Sequence, residues 1–281
     1  MSVVDFPTTE GDTTPSIEST AAIEIHNLNK RFGGLRALTE LSLTISRHVV
    51  HSIIGPNGAG KTCVFNCIMG QYKPDDGAIL LYGERIDGLE PHHVAAVGIS
   101  RTYQNIRLFR NMTALENVMV GRHRCMRASV LDTLLGNRRF RDEEASARER
   151  SRQLLVLVGM PRREDVLARN LSYGEQRRLE IARALATEPR VILLDEPAAG
   201  MNPIESDRLM DLIRQLRDQK GMTIVLIEHE MRVVMGISDI ISVLDRGELL
   251  AEGSVQDVRK DKRVIEAYLG SSATRYRRTE I

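Results

Sequence analysis

Gly55-Pro-Asn-Gly-Ala-Gly-Lys-Thr62 is the stretch of sequence from which the fold of this chain can be inferred. It fits the pattern Gly-x-x-x-x-Gly-Lys-Ser/Thr, and it lies between a predicted apolar strand, Val49–Ile54, and a predicted helix, Thr62–Met69. In this context the glycines let backbone N–H groups converge on phosphate oxygens, and the start of the helix adds partial positive charge. We therefore predict a nucleotide phosphate site, in which Lys61 holds the β and γ phosphates and the Thr62 hydroxyl binds Mg²⁺.

A second predicted strand ends in two carboxylates. Val191–Leu194 is apolar throughout, and Asp195 and Glu196 follow it directly. Open α/β sheets bind their ligands at the carboxyl ends of the strands. Asp195 is suited to hold Mg²⁺ through water, and Glu196 to polarise the water that attacks the γ phosphate. The alternative is an acidic pair that caps the turn at Pro197, which the phosphate-binding loop elsewhere in the chain disfavours.

Beyond Ser172 the chain alternates between helix and strand, a pattern that predicts a parallel sheet. The predicted strands are apolar on both faces, as strands covered on both sides must be. The predicted elements are the helix Glu175–Thr187, the strand Val191–Leu194, the helix Ile204–Gln219, the strand Thr223–Ile227 and the helix Met231–Ile237.

Three polar features near these elements are ambiguous when each is taken alone. Ser172 and Glu175 form the sequence signature of a capping box, although the start of a helix with a serine hydroxyl is also suited to bind an anion. His229 follows the strand Thr223–Glu228 and is either a packed or surface histidine or, if that strand neighbours the one ending at Asp195, a residue near the phosphates. Gln104 carries no signal by itself.

The remaining regions are read from their hydrophobic spacing. Short β-branched segments separated by turns such as Gly33-Gly34 predict strands, whereas residues 113–159 show the three- and four-residue spacing of helices. We expect residues 1–22 to form a solvated tail, residues 23–270 to form one domain with a helical subdomain at about 105–170, and residues 271–281 to form a second tail. The predicted short strands are Ile23–Leu28, Leu41–Ile45, Val49–Ile54 and Ala78–Tyr82.

Composition excludes several classes of protein. Of 281 residues, 42% are hydrophobic and 27% are charged, which is the composition of a globular protein. The 39 Lys and Arg balance 38 Asp and Glu, so no global field favours nucleic acid or anionic lipid. No apolar run reaches the ~18 to 20 residues that cross a bilayer, and the acidic start of the chain is unlike a secretory signal, so we expect a cytosolic protein with reduced cysteines.

The assembled motifs resemble those of the ATP-binding subunit of an ABC transporter. The resemblance covers about Ile23 to Gly270 and is strongest to the ATPase of branched-chain amino acid importers. At three places the sequence departs from the family pattern. Tyr173 and Glu175 stand where Leu-Ser-Gly-Gly-Gln has Gly and Gln, Cys63 stands where a second hydroxyl is common, and Arg47-His48 stands where Gly-Glu is usual. The stretches that carry the closer resemblance are Arg101–Arg110, Gln176–Arg183, Asp195–Gly200, Ile227–Met231 and Val264–Gly270.

The resemblance implies roles for individual residues. Phe32 matches the aromatic residue that stacks on adenine, and His229 matches the switch residue that senses the γ phosphate. Gln104 matches the residue that contacts Mg²⁺ and water and links the ATP site to the permease, and with Glu196 and His229 it completes the implied catalytic set. The implied nucleotide-binding residues also include Gly55, Pro56, Asn57, Gly58, Ala59, Gly60, Lys61, Thr62, Cys63 and, toward ATP held by an opposite subunit, Ser172, Gly174 and Glu175.

The same resemblance implies an α/β P-loop NTPase fold, with a mixed β-sheet core and a helical subdomain, that works as a head-to-tail dimer with ATP and Mg²⁺. The implied partners are a second ABC ATPase subunit, identical or related, transmembrane permease subunits and, indirectly, a periplasmic or extracellular solute-binding protein, with no nucleic acid. A groove near Ile106–Met112 would meet the permease at the cytoplasmic face of the inner membrane. The alternative is the ATPase of a lipopolysaccharide or lipid transporter or of another small-solute transporter, such as one for urea or amides.

Overall fold

A six-stranded sheet with strand order β10-β9-β3-β8-β7-β6 forms the centre of the computed structural model, which describes residues 20–125 and 138–268. Five of these strands run parallel, and β10 pairs antiparallel with β9. The sheet is therefore mixed, as predicted for a P-loop NTPase. Its strands are β3 (Val50–Ile54), β6 (Ile99–Arg101), β7 (Val191–Asp195), β8 (Thr223–Ile227), β9 (Ile240–Asp245) and β10 (Glu248–Gly253).

The three central strands, β3, β8 and β7, are buried along their whole length. Helices cover both faces of a parallel sheet, which is why these strands read as continuous apolar runs rather than as alternating patterns. Asp195 pairs in register with Ile227, so the carboxyl ends of β7 and β8 lie side by side. The loops that follow β3, β7 and β8 therefore open at one edge of the sheet.

A separate four-stranded antiparallel sheet, ordered β2-β1-β4-β5, packs beside the central one. The short strands predicted for this region are in fact long: two of them extend to twelve residues each and are joined at Gly33-Gly34. Alternate burial along a strand that has one face to solvent hides its true length from a search for continuous apolar runs. The strands are β1 (Ala21–Phe32), β2 (Leu35–Ser46), β4 (Asp76–Leu81) and β5 (Glu84–Arg85).

Helices pack on both sheets and form a helix-rich part between β6 and β7. In the described residues this part begins at the capped start of α3, whereas 102–113 forms no helix, so helical structure starts later than the predicted 105. Leu131, Leu134 and Leu135 of the predicted helical block lie outside the described residues. The helices are α1 (Lys61–Ile68), α2 (Pro91–Ala96), α3 (Ala114–Arg122), α4 (Arg138–Leu157), α5 (Tyr173–Leu185), α6 (Pro203–Lys220), α7 (Met231–Ile237) and α8 (Val255–Lys260).

The first strand begins slightly before the predicted start of the domain, and the predicted end of the domain lies outside the described residues. Strand β1 begins at Ala21, two residues before the predicted start of organised structure, because Ala21 pairs with Ser46. A last helical stretch, 262–268, follows α8, and the predicted tail at 271–281 lies outside the described residues, as does most of the tail predicted at 1–22. Within the described ranges, no helix has both the length and the apolar character needed to cross a bilayer.

Candidate active site

The glycine-rich loop joins β3 to α1, as the sequence predicts. Gly55 and Gly60 have φ angles of 149° and 101°, in the region that favours glycine. A Cβ atom would lie 2.1 Å from the Leu244 carbonyl oxygen at Gly55 and 2.7 Å from the Ala37 carbonyl oxygen at Gly60, so backbone packs against both positions. Close packing of the loop on its neighbours thus requires these two glycines, in addition to the role in phosphate binding that the sequence predicts for them.

Lys61 folds back over the loop that it follows. Its Nζ donates hydrogen bonds to the carbonyl oxygens of Gly55, at 2.7 Å, and Pro56, at 3.1 Å. Burial lowers the pKa of Lys61, while the charges of Glu196 and Asp195 act in the opposite direction. The ammonium group therefore lies close enough to both carboxylates for their charges to act on it.

Asp195 is the last residue of β7, and its carboxylate is bound by an arginine from the neighbouring strand. Arg101 Nη2 lies 2.7 Å from Asp195 Oδ2, and the two side chains are 3% and 4% exposed. The backbone N–H of Asp195 also donates to the Thr102 hydroxyl at 3.4 Å. This arginine lies within the stretch that suggested the family resemblance, but the sequence did not single it out, because nothing local to it indicates a partner in β7.

Gln104, Glu196 and His229 meet at the carboxyl edge of the sheet, although 92 residues of sequence separate the first two. Gln104 Nε2 donates to Glu196 Oε2 at 2.9 Å, and His229 Nδ1 lies 3.6 Å from Glu196 Oε1. Glu196 has a φ of 48°, a left-handed conformation that is uncommon for a non-glycine residue and is often found at functional sites. The structure thus brings together all three residues predicted as catalytic. His229 lies near Glu196 because β8, which it follows, is the neighbour of β7.

Glu228, which was not predicted as a site residue, holds the backbone at this edge of the sheet. Its buried carboxylate accepts hydrogen bonds from the backbone N–H groups of Ala198, His229 and Glu230, so it joins the turn after Glu196 to the turn that carries His229. Burial raises the pKa of Glu228, and these N–H donors partly offset the effect. The available signal in the sequence is a glutamate that directly follows an apolar strand.

Ser172 and Glu175 form the predicted capping box at the start of α5. The Glu175 N–H donates to Ser172 Oγ at 3.3 Å, and the Ser172 N–H donates to Glu175 Oε2 at 2.9 Å. Arg163 Nε lies 2.9 Å from Glu175 Oε1, and the serine bonds and this charge outweigh burial to lower the pKa of Glu175. None of the hydrogen bonds or ion pairs described for these two residues reaches the loop Gly55–Thr62, and Gly174 is buried against Glu205.

A fully buried arginine, Arg177, joins the Gln104 loop to α5, which is a third feature that was not predicted from the sequence. Arg177 donates to the carbonyl oxygens of Tyr103, at 2.6 Å, and Gln104, at 2.7 Å. It also lies 3.0 Å from Glu180 Oε2 and 3.3 Å from the Tyr173 hydroxyl. Tyr173, which departs from the family pattern, is therefore anchored to the arginine that holds the backbone of Gln104.

The other residues predicted to contact the nucleotide differ in their exposure to solvent. The Phe32 ring is 43% exposed at the end of β1 and lies edge-on to Tyr72, with ring centroids 5.1 Å apart. Thr62 is exposed in the first turn of α1, whereas the Cys63 side chain is buried in the apolar cluster beneath the loop. Of these two neighbours, only Thr62 presents its side chain to the surface. The exposed or half-buried loop residues Pro56, Asn57 and Gly58 border the same edge, while Ala59 is buried.

Comparison with known proteins agrees with this geometry. A family model described as ABC transporter matches residues 38–199, and one described as branched-chain amino acid ATP-binding cassette transporter matches residues 248–274. The chain is 47% identical over 250 residues to the high-affinity branched-chain amino acid transport ATP-binding protein BraF of Pseudomonas aeruginosa, and the match covers 89% of this chain and 98% of BraF.

Two solved structures resemble the fold. The ADP conformation of MJ1267, an ATP-binding cassette of an ABC transporter, superposes with a TM-score of 0.78 at 32% identity and covers 90% of this chain and 100% of its own. The dimeric post-hydrolysis state of the cassette MJ0796, bound to ADP and Pi, has a TM-score of 0.71 at 26% identity and covers 83% and 98%. Since these matches span the loop, both carboxylates and most of the remaining chain, the chain belongs to the ABC transporter family as an ATP-hydrolysing cassette.

Proposed function

We propose that this cassette is the ATPase subunit of an importer of branched-chain amino acids, and that it hydrolyses ATP at the carboxyl edge of its central sheet. The observation that carries the catalytic part is the meeting of Gln104 and His229 on Glu196, next to Lys61. The choice of amino acid transport rests on the match of residues 248–274 and on the likeness to BraF.

Binding of ATP would rearrange contacts that the protein already makes. The Lys61 ammonium, now bonded to two loop carbonyls, would turn to the β and γ phosphates, which offer stronger charge-assisted hydrogen bonds. Glu196 would polarise the attacking water, while Gln104 and His229 fix the direction of its carboxylate. Phe32, with its exposed ring, would stack on adenine.

The residues near the loop fit a bound Mg²⁺ ion. Thr62 and Asp195 offer hydroxyl and carboxylate oxygens, the donors that Mg²⁺ prefers, and Gln104 adds an amide oxygen. Arg101 bonds both to Asp195 and to Asn66 on α1, so this carboxylate lies near the helix that begins with Lys61 and Thr62. When bound, Mg²⁺ supplies charge neutralisation to the phosphates, and Thr62 with Asp195 would hold it.

A second cassette would complete each site. Ser172, Gly174 and Glu175 would contact ATP held by the opposite subunit, and their lack of described contacts with the loop of their own chain supports this arrangement. The exposed capped start of α5 offers N–H groups and partial positive charge to an anion from outside the chain. The dimeric MJ0796 cassette shows that a chain of this fold can pair.

The contact with the permease is proposed for the loop between Gln104 and α3. Phe109 is 49% exposed and Met112 is 36% exposed, while Leu108 packs partly on the core beneath them. Such an exposed apolar patch is typical of a docking surface. We propose that permease subunits hold the cassette there, at the cytoplasmic face of the membrane, and that the solute-binding protein acts only through them.

The catalytic assignment is tested with Glu196→Gln in the purified full chain. This change keeps the shape of the side chain but removes its basicity, so we expect MgATP binding to persist, phosphate release to fall by roughly 100-fold or more, and a closed dimer to accumulate. Glu90→Gln, an exposed glutamate beside α2, serves as a matched control that should leave all three unchanged. Near-normal phosphate release by Glu196→Gln would reject Glu196 as the base.

The substrate and partners are tested by purifying the tagged chain from native membranes and reconstituting the co-purifying subunits. We expect permease subunits, and ATP-dependent uptake of leucine, isoleucine or valine once the solute-binding protein is added. Recovery of a lipid-exporting permease, or uptake of urea or amides instead, would establish the alternative function while leaving the ATPase assignment intact.

A further inference from the structure

Arg101 links two parts of the candidate site that the sequence places far apart. It is the last residue of β6, and its guanidinium reaches Asp195 Oδ2 with Nη2 at 2.7 Å and Asn66 Oδ1 with Nη1 at 2.5 Å. Asn66 lies on α1, the helix that begins with Lys61 and Thr62. One side chain therefore bridges the helix of the phosphate-binding loop and the carboxylate at the end of β7.

Two aromatic rings lie beside the guanidinium group of Arg101. Its central carbon lies 5.4 Å from the centre of the Phe65 ring and 5.2 Å from that of Tyr103. The side chain is 3% exposed, and its Nε makes no hydrogen bond with the described residues. Because both Nη groups are hydrogen-bonded and the side chain is buried beside two rings, the guanidinium has little freedom to turn, and it fixes the position of Asp195 Oδ2 relative to Asn66.

The positive charge of Arg101 does not by itself explain why the side chain bonds to both Asn66 and Asp195. A lysine could neutralise a buried carboxylate, but one ammonium group cannot bond to Asn66 and Asp195 along two fixed directions of a planar fork. Lys61 is already close enough to attract Asp195, so neutralisation has a second source. What Arg101 adds is a defined direction for the carboxylate: it bonds to Oδ2, whereas no hydrogen bond is described for Oδ1 within residues 20–125 and 138–268.

We propose that Arg101 is a positioning residue for Asp195: by bridging Asn66 and Oδ2, it orients the carboxylate toward the Mg²⁺ of bound nucleotide. The inference rests on the proposed function, which assigns Asp195 to the metal. Partners that hold a metal ligand in place typically contribute about 10- to 100-fold in metal affinity. Loss of the bridge should therefore weaken the contribution of Mg²⁺ to nucleotide binding, even when no hydrolysis takes place.

The test measures binding of a fluorescent, non-hydrolysable ATP analogue to the full chain, once in EDTA and once in excess Mg²⁺. The Kd measured in EDTA divided by the Kd measured in Mg²⁺ reports the part of the affinity that depends on the metal. Any effect that reaches the phosphates through Lys61 changes both Kd values and largely cancels in the ratio. For Arg101→Gln we expect the ratio to fall by about tenfold, and for Arg101→Lys we expect a smaller fall.

Two further variants separate positioning from charge and from general damage to the fold. Asn66→Ala keeps the charges of Arg101 and Asp195 but removes one end of the bridge, so its ratio should also fall, by about threefold. Arg122→Gln removes an arginine of similar kind from α3, where it pairs with Glu188 at 2.5 Å, and its ratio should equal that of the wild type. Retained binding in EDTA shows that each variant still forms the phosphate site.

Three outcomes would overturn the inference. A ratio for Arg101→Gln that equals or exceeds that of the wild type would mean that Arg101 does not orient the metal ligand. A normal ratio for Asn66→Ala beside a reduced one for Arg101→Gln would mean that only charge matters. A wild-type ratio of one would reject the Mg²⁺ assignment of Asp195 itself, and the inference with it, whereas the first two outcomes leave the proposed function standing.

Discussion

Protonation of His51 should destabilise the central sheet of this cassette in mildly acidic solution. His51 is fully buried in β3, between β8 and β9. Its Nε2 lies 2.7 Å from Ser242 Oγ, and that hydroxyl donates to Glu252 Oε2 at 2.7 Å. The histidine is therefore the donor at Nε2. Its buried Nδ1 has no hydrogen-bond partner in the described part of the chain, so a second proton bound there would have no acceptor.

The size of the effect follows from the pKa of this histidine in the folded and unfolded chain. Burial lowers the pKa of His51 from 6.5 to about 4. Between these values the unfolded state binds the proton and the folded state does not, so the free energy of unfolding falls as the pH drops below that of the free side chain. The expected loss is about 2 kcal/mol on going from about pH 7.5 to about pH 5, and it approaches about 3 kcal/mol near pH 4.

Urea unfolding followed by circular dichroism at about pH 7.5 and about pH 5 measures the change in the free energy of unfolding, with His51→Gln as the key variant. Glutamine offers an amide N–H to Ser242 but binds no proton, so the variant should lose about 2 kcal/mol less than the wild type over the same interval. His26→Gln, which changes an exposed histidine, should retain the wild-type loss. Equal losses in the wild type and His51→Gln would refute the reasoning, because every other titrating group is common to both.

Two other substitutions test the site and the docking loop. Lys61→Ala should weaken binding of MgATP by at least about tenfold in a fluorescence titration, because it removes a charge-assisted contact to phosphate, and unchanged affinity would contradict the role of Lys61. Asn117→Ala should lower the free energy of unfolding by about 1 to 3 kcal/mol, since the buried amide bonds to the backbone of Phe109, Met112 and Thr113. The same variant should reduce recovery of the permease in co-purification, and normal recovery with normal stability would show that the loop does not depend on this amide.

Several features of the chain could be predicted because they are encoded in contiguous residues. The phosphate-binding loop, the apolar strand that ends at Asp195 and the capping box of Ser172 with Glu175 each span a few positions and depend on local backbone geometry. Helical or strand spacing likewise predicted most elements after Ser172, such as the helix Met231–Ile237 and the strand Thr223–Ile227. The nucleotide roles of these residues stay predictions until binding is measured.

The sequence was less informative where elements are short or half exposed. Strand β6, with three residues, and the antiparallel pair β9 and β10 were not predicted, and the long strands β1 and β2 were cut short. A strand with one face in solvent shows alternating polarity that turns and bulges interrupt, and β1 contains several shifts in register. Its full length becomes evident only from the strand with which it pairs.

The sequence by itself determined which chemical groups this protein carries and the local backbone that presents several of them. Only the tertiary structure decided which groups meet. The order β3-β8-β7-β6 brings Glu196, His229 and Gln104 to one edge of the sheet and lets Arg101 reach Asp195. Strand order depends on how buried surfaces pair across long separations in the chain, and no local pattern of residues records that choice.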